Sequence, residues 1–304
     1  MRNFSKLASV FFSVESEINM SRPNMGEKFM GNEASLKMDS SGKLVIGSGS
    51  LRFAMRKTFE NVYKFDDSEI ITDSLTAKKG VDHELDIEKN LRQDLFGDMN
   101  ASKDKDKAFK RFSPIETTPV IARKRSEIFR NLCVNFSDDS DNDIIIENVS
   151  ESDLMGYNTL IDVKKILRVK NVKFIEESLT MVDKYEDLGG DEKRKKRLLG
   201  YIKTIQHLNG FANQARNMID LSPDRLIAVL FFEYPDKRFS NFFSVSETKR
   251  KNLIEELEAR QKNGELLYFI GDDESNSDDT LTVFKTFEKI YDEINNLKID
   301  VKKD

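Results

Sequence analysis

The sequence is poor in the residues that build most disulfide, metal and cofactor sites. Its 304 residues include one cysteine, two histidines, five prolines and no tryptophan. The single thiol, Cys133, excludes an intrachain disulfide and a metal centre built from several thiolates. The histidines, His83 and His207, fall in different predicted regions of the chain. We therefore expect no cofactor and no metal ion, and an intracellular protein, cytoplasmic or nuclear, in a reducing compartment.

Long apolar runs are also missing. No stretch approaches the roughly 18 apolar residues that a membrane-spanning helix requires, so the sequence predicts no membrane span. Charged residues make up 34% of the chain and the formal net charge is −5. This balance argues against a protein that coats nucleic acid along its whole surface and leaves only local basic patches for that role. The abundance of lysine, asparagine, isoleucine and phenylalanine is typical of an AT-biased genome, a viral one among others.

The segment GKLVIGSGSLRFAMRKTF, residues 42–59, comes nearest to a nucleotide-binding motif. A dinucleotide site requires the pattern Gly-x-Gly-x-x-Gly, and the third glycine position is Arg52. A Walker loop requires Gly-Lys-Ser or Gly-Lys-Thr, which the chain does not contain. We interpret Gly-Ser-Gly-Ser, residues 47–50, as a flexible turn between a short apolar run and a basic, helix-capable segment. Because no nucleophile elbow is present either, we expect a protein without enzymatic activity.

The spacing of apolar residues predicts a mainly α-helical protein. The N-terminal segment resembles a mitochondrial transit peptide, but with only two basic residues it is better interpreted as an amphipathic helix that docks on the domain. Ser222, Pro223 and Asp224 favour a helix start before RLIAVLFFEY, whose apolar residues on all sides predict a buried central helix. Helices are expected over residues 4–14, 85–96, 160–167, 174–185, 198–215, 225–234, 244–262 and 280–299.

Charge is arranged in blocks that suggest a domain organisation. Residues 101–130 carry nine basic and four acidic side chains, whereas acidic side chains dominate on both sides of this basic block. Opposite blocks attract one another, although three solvated, loosely ordered stretches are an equal alternative. We expect a loosely folded N-terminal half (1–136) with a β-hairpin near 35–46, an acidic linker (137–150) and a compact helical domain (151–304).

The basic clusters are the candidate functional residues. Five bases in a row, Lys193 to Arg197, lie at the start of the predicted helix over 198–215. Cations at that position oppose the helix dipole, so the run is suited to a phosphate backbone or an import receptor, unless the helix begins only after it. Phe109, Phe112 and Phe129 interleave the basic block, as a surface that stacks single-stranded bases requires. Alternatively, these rings are core and the bases merely solvated. The residues predicted to bind nucleic acid are Lys107, Lys110, Arg111, Arg123, Lys124, Arg125, Lys193, Arg194, Lys195, Lys196 and Arg197.

The sequence thus predicts a non-enzymatic protein that binds single-stranded nucleic acid with weak sequence specificity. Its other expected partners are proteins, including further copies of itself held through the final helix, 280–299. The alternative is a protein–protein scaffold or adaptor whose basic clusters are nuclear import signals. Ser140 and Ser275 are predicted phosphorylation sites because an acidic residue follows each of them three positions later.

Overall fold

The computed structural model describes residues 2–21, 25–28, 34–64, 85–100, 109–135, 143–175, 178–211, 219–275 and 280–299. The strands are β1 (Ser9–Ser21), β2 (Met25–Lys28), β3 (Ala34–Leu36), β4 (Val45–Ile46), β5 (Asp98–Asn100), β6 (Phe109–Arg111), β7 (Ile115–Thr117), β8 (Val120–Ala122), β9 (Ile128–Asn135), β10 (Asp143–Asp162), β11 (Arg168–Ile175), β12 (Ser178–Asp187), β13 (Arg225–Phe231) and β14 (Leu266–Asp272). The helices are α1 (Ser48–Lys64), α2 (Leu91–Phe96), α3 (Gly190–Gln206), α4 (Glu247–Lys262) and α5 (Val283–Asn296). The chain is mixed α/β, so the prediction of a mainly α protein is wrong.

A mostly antiparallel sheet with the order β14-β13-β1-β10 organises the chain. β1 is a central strand, with Phe11 opposite both Leu160 of β10 and Val229 of β13. The other edge of β10 pairs in succession with β9, β8 and β7. Both halves of the chain therefore supply strands to one sheet. Of the predicted acidic linker 137–150, residues 143–150 belong to β10, and the remainder lies outside the described residues.

The helices predicted over 4–14 and 225–234 are wrong: these segments contain the strands β1 and β13, which are buried on both faces. In β1, Phe12 and Val14 face one core while Phe11 faces the other. In β13, Leu230 and its alternate neighbours face the first core, and Val229 with its alternate neighbours faces the second. A strand that is covered on both sides carries an unbroken apolar run, and periodicity cannot distinguish such a run from a buried helix.

The predicted helices over 160–167 and 174–185 are also wrong. The first covers the end of β10 and a short 3₁₀ turn, Val163–Lys165. The second lies in β11 and β12, which pair antiparallel as a separate two-stranded sheet. Between them, Leu167 adopts a left-handed conformation with φ 55°. Apolar residues at helical spacing can therefore also arise where a strand, a turn and a second strand follow one another.

Of the residues 47–50, interpreted as a Gly-Ser turn, only Gly47 lies between β4 and α1; residues 48–50 form the first turn of α1, so the interpretation as a turn is wrong for these three residues. Before β4, Met38 and Leu44 pair antiparallel across a turn in which Gly42 has φ 77°. α1 begins at Ser48, one residue after the end of β4. Strand, turn and helix thus follow one another as in a nucleotide-binding unit, but the strand consists of two residues and pairs with β8 rather than with a parallel neighbour.

Helices α1, α3 and α5 pack on one face of the sheet and α4 packs on the other. The helices predicted over 244–262 and 280–299 are confirmed as α4 and α5, and α4 begins at Glu247 with Ser246 as its N-cap. The apolar residues Phe287, Ile290 and Ile294 of α5 are fully buried in the core of their own chain. The apolar face of α5 is therefore not available to a second copy, which corrects the prediction of self-association through residues 280–299.

One buried carboxylate joins distant parts of the chain. Asp94 in α2 is 0% exposed. Its Oδ1 accepts a hydrogen bond from Nη2 of Arg111 at 2.7 Å, and its Oδ2 accepts one from Nη1 of Arg197 at 2.7 Å. The backbone N–H of Leu167 donates to both oxygens, at 3.0 and 3.1 Å. This Asp94 cluster connects α2 to β6, to α3 and to the turn that precedes β11.

The substitution Asp94→Ala is expected to lower the free energy of unfolding by about 3–5 kcal/mol, because it leaves two buried guanidinium groups without a counter-charge. Urea denaturation followed by circular dichroism at neutral pH measures this loss. Glu88→Ala is the control, since it breaks only the half-exposed ion pair with Lys193 (2.9 Å), and exposed pairs contribute little. Equal losses in the two variants would contradict a structural role for the Asp94 cluster.

Candidate nucleic-acid interface

Three of the bases predicted to bind nucleic acid are buried and hold the fold together. Arg111 and Arg197 bind Asp94, as described above. Arg194 is 2% exposed and donates to the carbonyl of Ile166 at 3.0 Å and to Asp187 Oδ2 at 2.7 Å. A guanidinium in such a position cannot reach a phosphate in solvent. The prediction of nucleic-acid contact is therefore corrected for these three arginines.

The first turns of α3 show how helical geometry separates neighbouring bases. Arg194 and Arg197 are three residues apart and lie on the face that continues into the buried Leu198 and Tyr201. Lys193 and Lys196, which are also three residues apart, are exposed on the other side of the helix. The apolar period of the helix was the signal that could have identified the two arginines as inward-facing.

Two further predicted bases have structural partners within the fold. Nε of Arg123 donates to Glu15 Oε1 at 2.7 Å, and the guanidinium lies on the backbone of Gly156, where a Cβ atom would be 1.8 Å from it. Nζ of Lys195 donates to the carbonyls of Asn295 and Leu297 at 2.7 and 3.2 Å. Lys195 thereby satisfies carbonyl groups at the C-terminal end of α5.

The hairpin β5–β6 presents an aromatic ring and a cation together. Phe112 is 59% exposed, and the Lys110 ammonium lies 4.5 Å from its ring centroid. Met99, which pairs with Lys110 across the hairpin, is also exposed. We call Met99, Lys110 and Phe112 the hairpin patch. An exposed ring beside a cation offers stacking to a base and charge to a phosphate.

The buried Arg111 explains why its neighbours point outward. Successive side chains in a strand lie on opposite faces, so an inward Arg111 places Lys110 and Phe112 on the other side. Gly97 supports this close packing, because its φ is 80° and a Cβ atom there would be 2.8 Å from the carbonyl oxygen of Arg111. Ser113 adds a hydrogen bond from its Oγ to the carbonyl of Leu95 at 2.6 Å.

A second basic and apolar surface lies at the start of β9. Lys124 and Arg125 are exposed, and Ile128 and Phe129 follow them with half of their surface accessible. We call these four residues the loop patch. Because Phe112 and Phe129 are exposed, the alternative that the interleaving rings are core is wrong for both of them. The side chain of Phe109, and the whole of Lys107, lie outside the described residues.

Sequence reasoning missed a group of arginines on α1 and α2. Arg52 donates to the carbonyls of Ile115 and Phe96, at 2.7 and 2.8 Å. The Arg56 guanidinium lies 5.8 Å from the exposed Phe53 ring. Burial lowers the pKa of Arg56, and the positive charges of Arg92 and Arg52 lower it further.

Gathered positive charge of this kind attracts anions. The helical i, i+4 spacing of Arg52 and Arg56 was visible in the sequence. Arg92, in contrast, reaches them only through the tertiary fold.

The predicted phosphorylation sites remain predictions. Ser275 follows β14, and its backbone N–H lies 3.4 Å from the carbonyl oxygen of Asp272. Ser140 lies outside the described residues.

Comparisons with known proteins establish the fold. No family model and no curated protein matches the sequence. A chain of a CRISPR RNA-guided surveillance complex shares the fold with a TM-score of 0.59 at 11% identity, over 94% of this chain and 99% of that chain. A chain of a CRISPR RNA-guided surveillance complex in a pre-nicking state has a TM-score of 0.54 at 10% identity, over 94% and 100% of the two chains. The similarity in fold thus extends along nearly the whole chain.

The helices of the described regions are too short or too polar to cross a bilayer. None of them combines the length and the apolar composition that a membrane crossing needs.

The ion pair between Asp187 and Arg194 at the base of the β11–β12 hairpin predicts a pH-dependent stability. Burial alone would raise the pKa of Asp187, but hydrogen bonds from Arg194 and the amides of Gly190 and Gly189 outweigh it and bring the pKa to about 2. A folded-state pKa below the ordinary value of 3.8 stabilises the fold above pH 4, and this contribution disappears as the pH falls towards 2.

The substitution Asp187→Asn is therefore expected to destabilise the protein at pH 7 and to differ less from the wild type at pH 3. Urea denaturation at both pH values measures the difference. Glu186→Gln, which removes one negative charge from the same strand, is the matched control. A deficit that is unchanged at pH 3 would contradict the assignment of the low pKa to Asp187.

Proposed function

We propose that this chain binds single-stranded RNA, without catalysing a reaction, as a subunit of an intracellular RNA-guided complex. The observation that carries the proposal is the hairpin patch, where an ammonium group lies against an exposed aromatic ring. Stacking on aromatic rings combined with backbone charge is the usual way in which proteins hold single strands without reading their sequence. The fold shared with chains of CRISPR RNA-guided surveillance complexes supports the same function.

The distribution of charge further supports binding through local patches. The net charge of the whole chain is −5, so attraction for a polyanion depends on where the bases remain unpaired. Lys110, Lys124 and Arg125 are exposed and form no ion pair with the described residues. They differ in this respect from Arg194 and Arg197, the buried arginines of α3, whose charge is neutralised by carboxylates.

Phe112→Ala is expected to weaken binding to a fluorescein-labelled 20-nucleotide oligouridine about 5- to 150-fold, as the loss of about 1–3 kcal/mol of base stacking implies. Fluorescence anisotropy with the purified full-length chain measures the dissociation constant. Tyr234→Ala is the matched control, because Tyr234 is 86% exposed and lies far along the chain from the basic block. Equal affinities of the wild type and the Phe112 variant would overturn the role of the hairpin patch.

The salt dependence of the same binding reaction tests the exposed bases. The logarithm of the binding constant is expected to fall linearly with the logarithm of salt concentration, with a slope of about −0.7 per neutralised phosphate. The double substitution Lys124→Ala and Arg125→Ala is expected to make the slope shallower by about one unit or more. Lys262→Ala, an exposed lysine on α4, serves as the control. A flat salt response of the wild type would contradict nucleic-acid binding and favour a protein–protein scaffold.

A further inference from the structure

β14 is the outermost strand of the sheet and has one open edge. It pairs with β13 along its whole length, from Arg225 opposite Asp272 to Phe231 opposite Leu266. α4 packs on one face of this strand and α5 on the other. Between the two helices, the second edge of β14 forms the floor of a groove of about 760 Å³.

The backbone of this edge is held by side chains rather than by a strand. The N–H of Tyr268 donates to Oε1 of Gln261 at 3.2 Å, and the carbonyl of Ile270 accepts from Oγ1 of Thr286 at 3.3 Å. Tyr268 and Ile270 therefore direct their backbone groups away from β13 and into the groove. Along 266–270, no strand from the described part of the chain covers them.

The chain itself shows that this edge accepts strand pairing. Gly271 and Leu281 form a parallel bridge, and the N–H of Asp272 donates to the carbonyl of Leu281 at 3.0 Å. This contact covers only the C-terminal end of the edge. The groove beyond it is bounded by backbone groups with the geometry that an additional strand would need.

The charge of the groove determines which kind of ligand can bind there. α5 contributes Lys289, Asp292 and Glu293 to its wall, so acidic side chains outnumber basic ones. On the side of α4, burial raises the pKa of Tyr268, and the negative charge of Glu258 raises it further. An acidic lining disfavours the phosphates of a nucleic acid and favours lysine or arginine side chains.

We propose that the open edge of β14 docks an extended segment of a partner protein, which adds to the sheet as a strand and carries lysine or arginine side chains. The added strand pairs with the backbone of Tyr268 and Ile270: it replaces Gln261 as the acceptor for the Tyr268 N–H, and the Ile270 carbonyl accepts a second hydrogen bond beside that from Thr286. Asp292 and Glu293 receive the basic side chains on the α5 side. Every second side chain of the added strand faces each helix, so alternating basic residues fit the groove.

A second copy of the chain is a poorer occupant of the same edge. Symmetric pairing of two β14 strands would bring Asp292 and Glu293 of both copies towards the same interface, where like charges repel. It would also require the flanking helices of both copies to fit beside one another. A single extended peptide meets neither obstacle.

The test uses the full-length chain, no nucleic acid, and a labelled nine-residue peptide in which lysine alternates with valine. Fluorescence anisotropy is expected to show saturable binding. A glutamate–valine peptide is expected to bind at least tenfold more weakly. A lysine–valine peptide that is N-methylated at every second peptide bond is also expected to lose at least tenfold, because it cannot donate its backbone hydrogen bonds to the edge.

Variants of the chain locate the binding site. The double substitution Asp292→Lys and Glu293→Lys is expected to weaken binding of the lysine–valine peptide at least tenfold, whereas Glu288→Lys, an exposed charge reversal outside the groove, is expected to leave it unchanged.

Three outcomes overturn the proposal. They are equal binding of the N-methylated peptide, equal effects of the two charge reversals, and self-association in sedimentation experiments that the double substitution abolishes. The last would assign the edge to a second copy. None of these outcomes depends on the proposed RNA binding, which the oligouridine titration tests separately.

Discussion

The Asp94 carboxylate is the contact on which the arrangement of the surface depends. It lies between the guanidinium groups of Arg111 and Arg197, and all three side chains are almost completely buried. Desolvating three charges is costly, and only their mutual pairing and the hydrogen bonds around them offset that cost. Because Arg111 is held inward, Lys110 and Phe112 face solvent. A buried electrostatic contact therefore determines what the β5–β6 hairpin presents to a ligand.

Basic residues serve two different purposes in this chain. Arg111 and the two buried arginines of α3 neutralise carboxylates within the fold, whereas Lys110 and the bases of the loop patch remain at the surface. The open edge of β14 lies in an acidic groove instead. Surfaces of opposite charge on one molecule favour different ligands, so a polyanion and a basic peptide would not compete for the same site.

Local signals predicted α4 and α5, but they failed at Ser222, Pro223 and Asp224, which precede the strand β13 instead of a helix. Thr282 caps α5 as its hydroxyl accepts from the N–H of Lys285, and Gly264, with φ 81°, follows the end of α4. Prediction from the sequence failed where burial on both faces removes the alternation of apolar and polar residues that marks a strand, as in β1 and β13. It also failed at Arg56 and Arg92, because their proximity depends on how α1 packs near α2.

By itself, the sequence determined that no intrachain disulfide can form and where α4 and α5 lie, but not where every element begins. One cysteine cannot form an intrachain disulfide, and capping residues act within a single turn of helix. Only the tertiary structure decided which bases are available to a ligand. Arg197 is neutralised by a carboxylate 103 positions away, while Lys196 beside it is exposed. Charge is a property of the residue, but its solvation and its partners are properties of the fold, and these govern what it can bind.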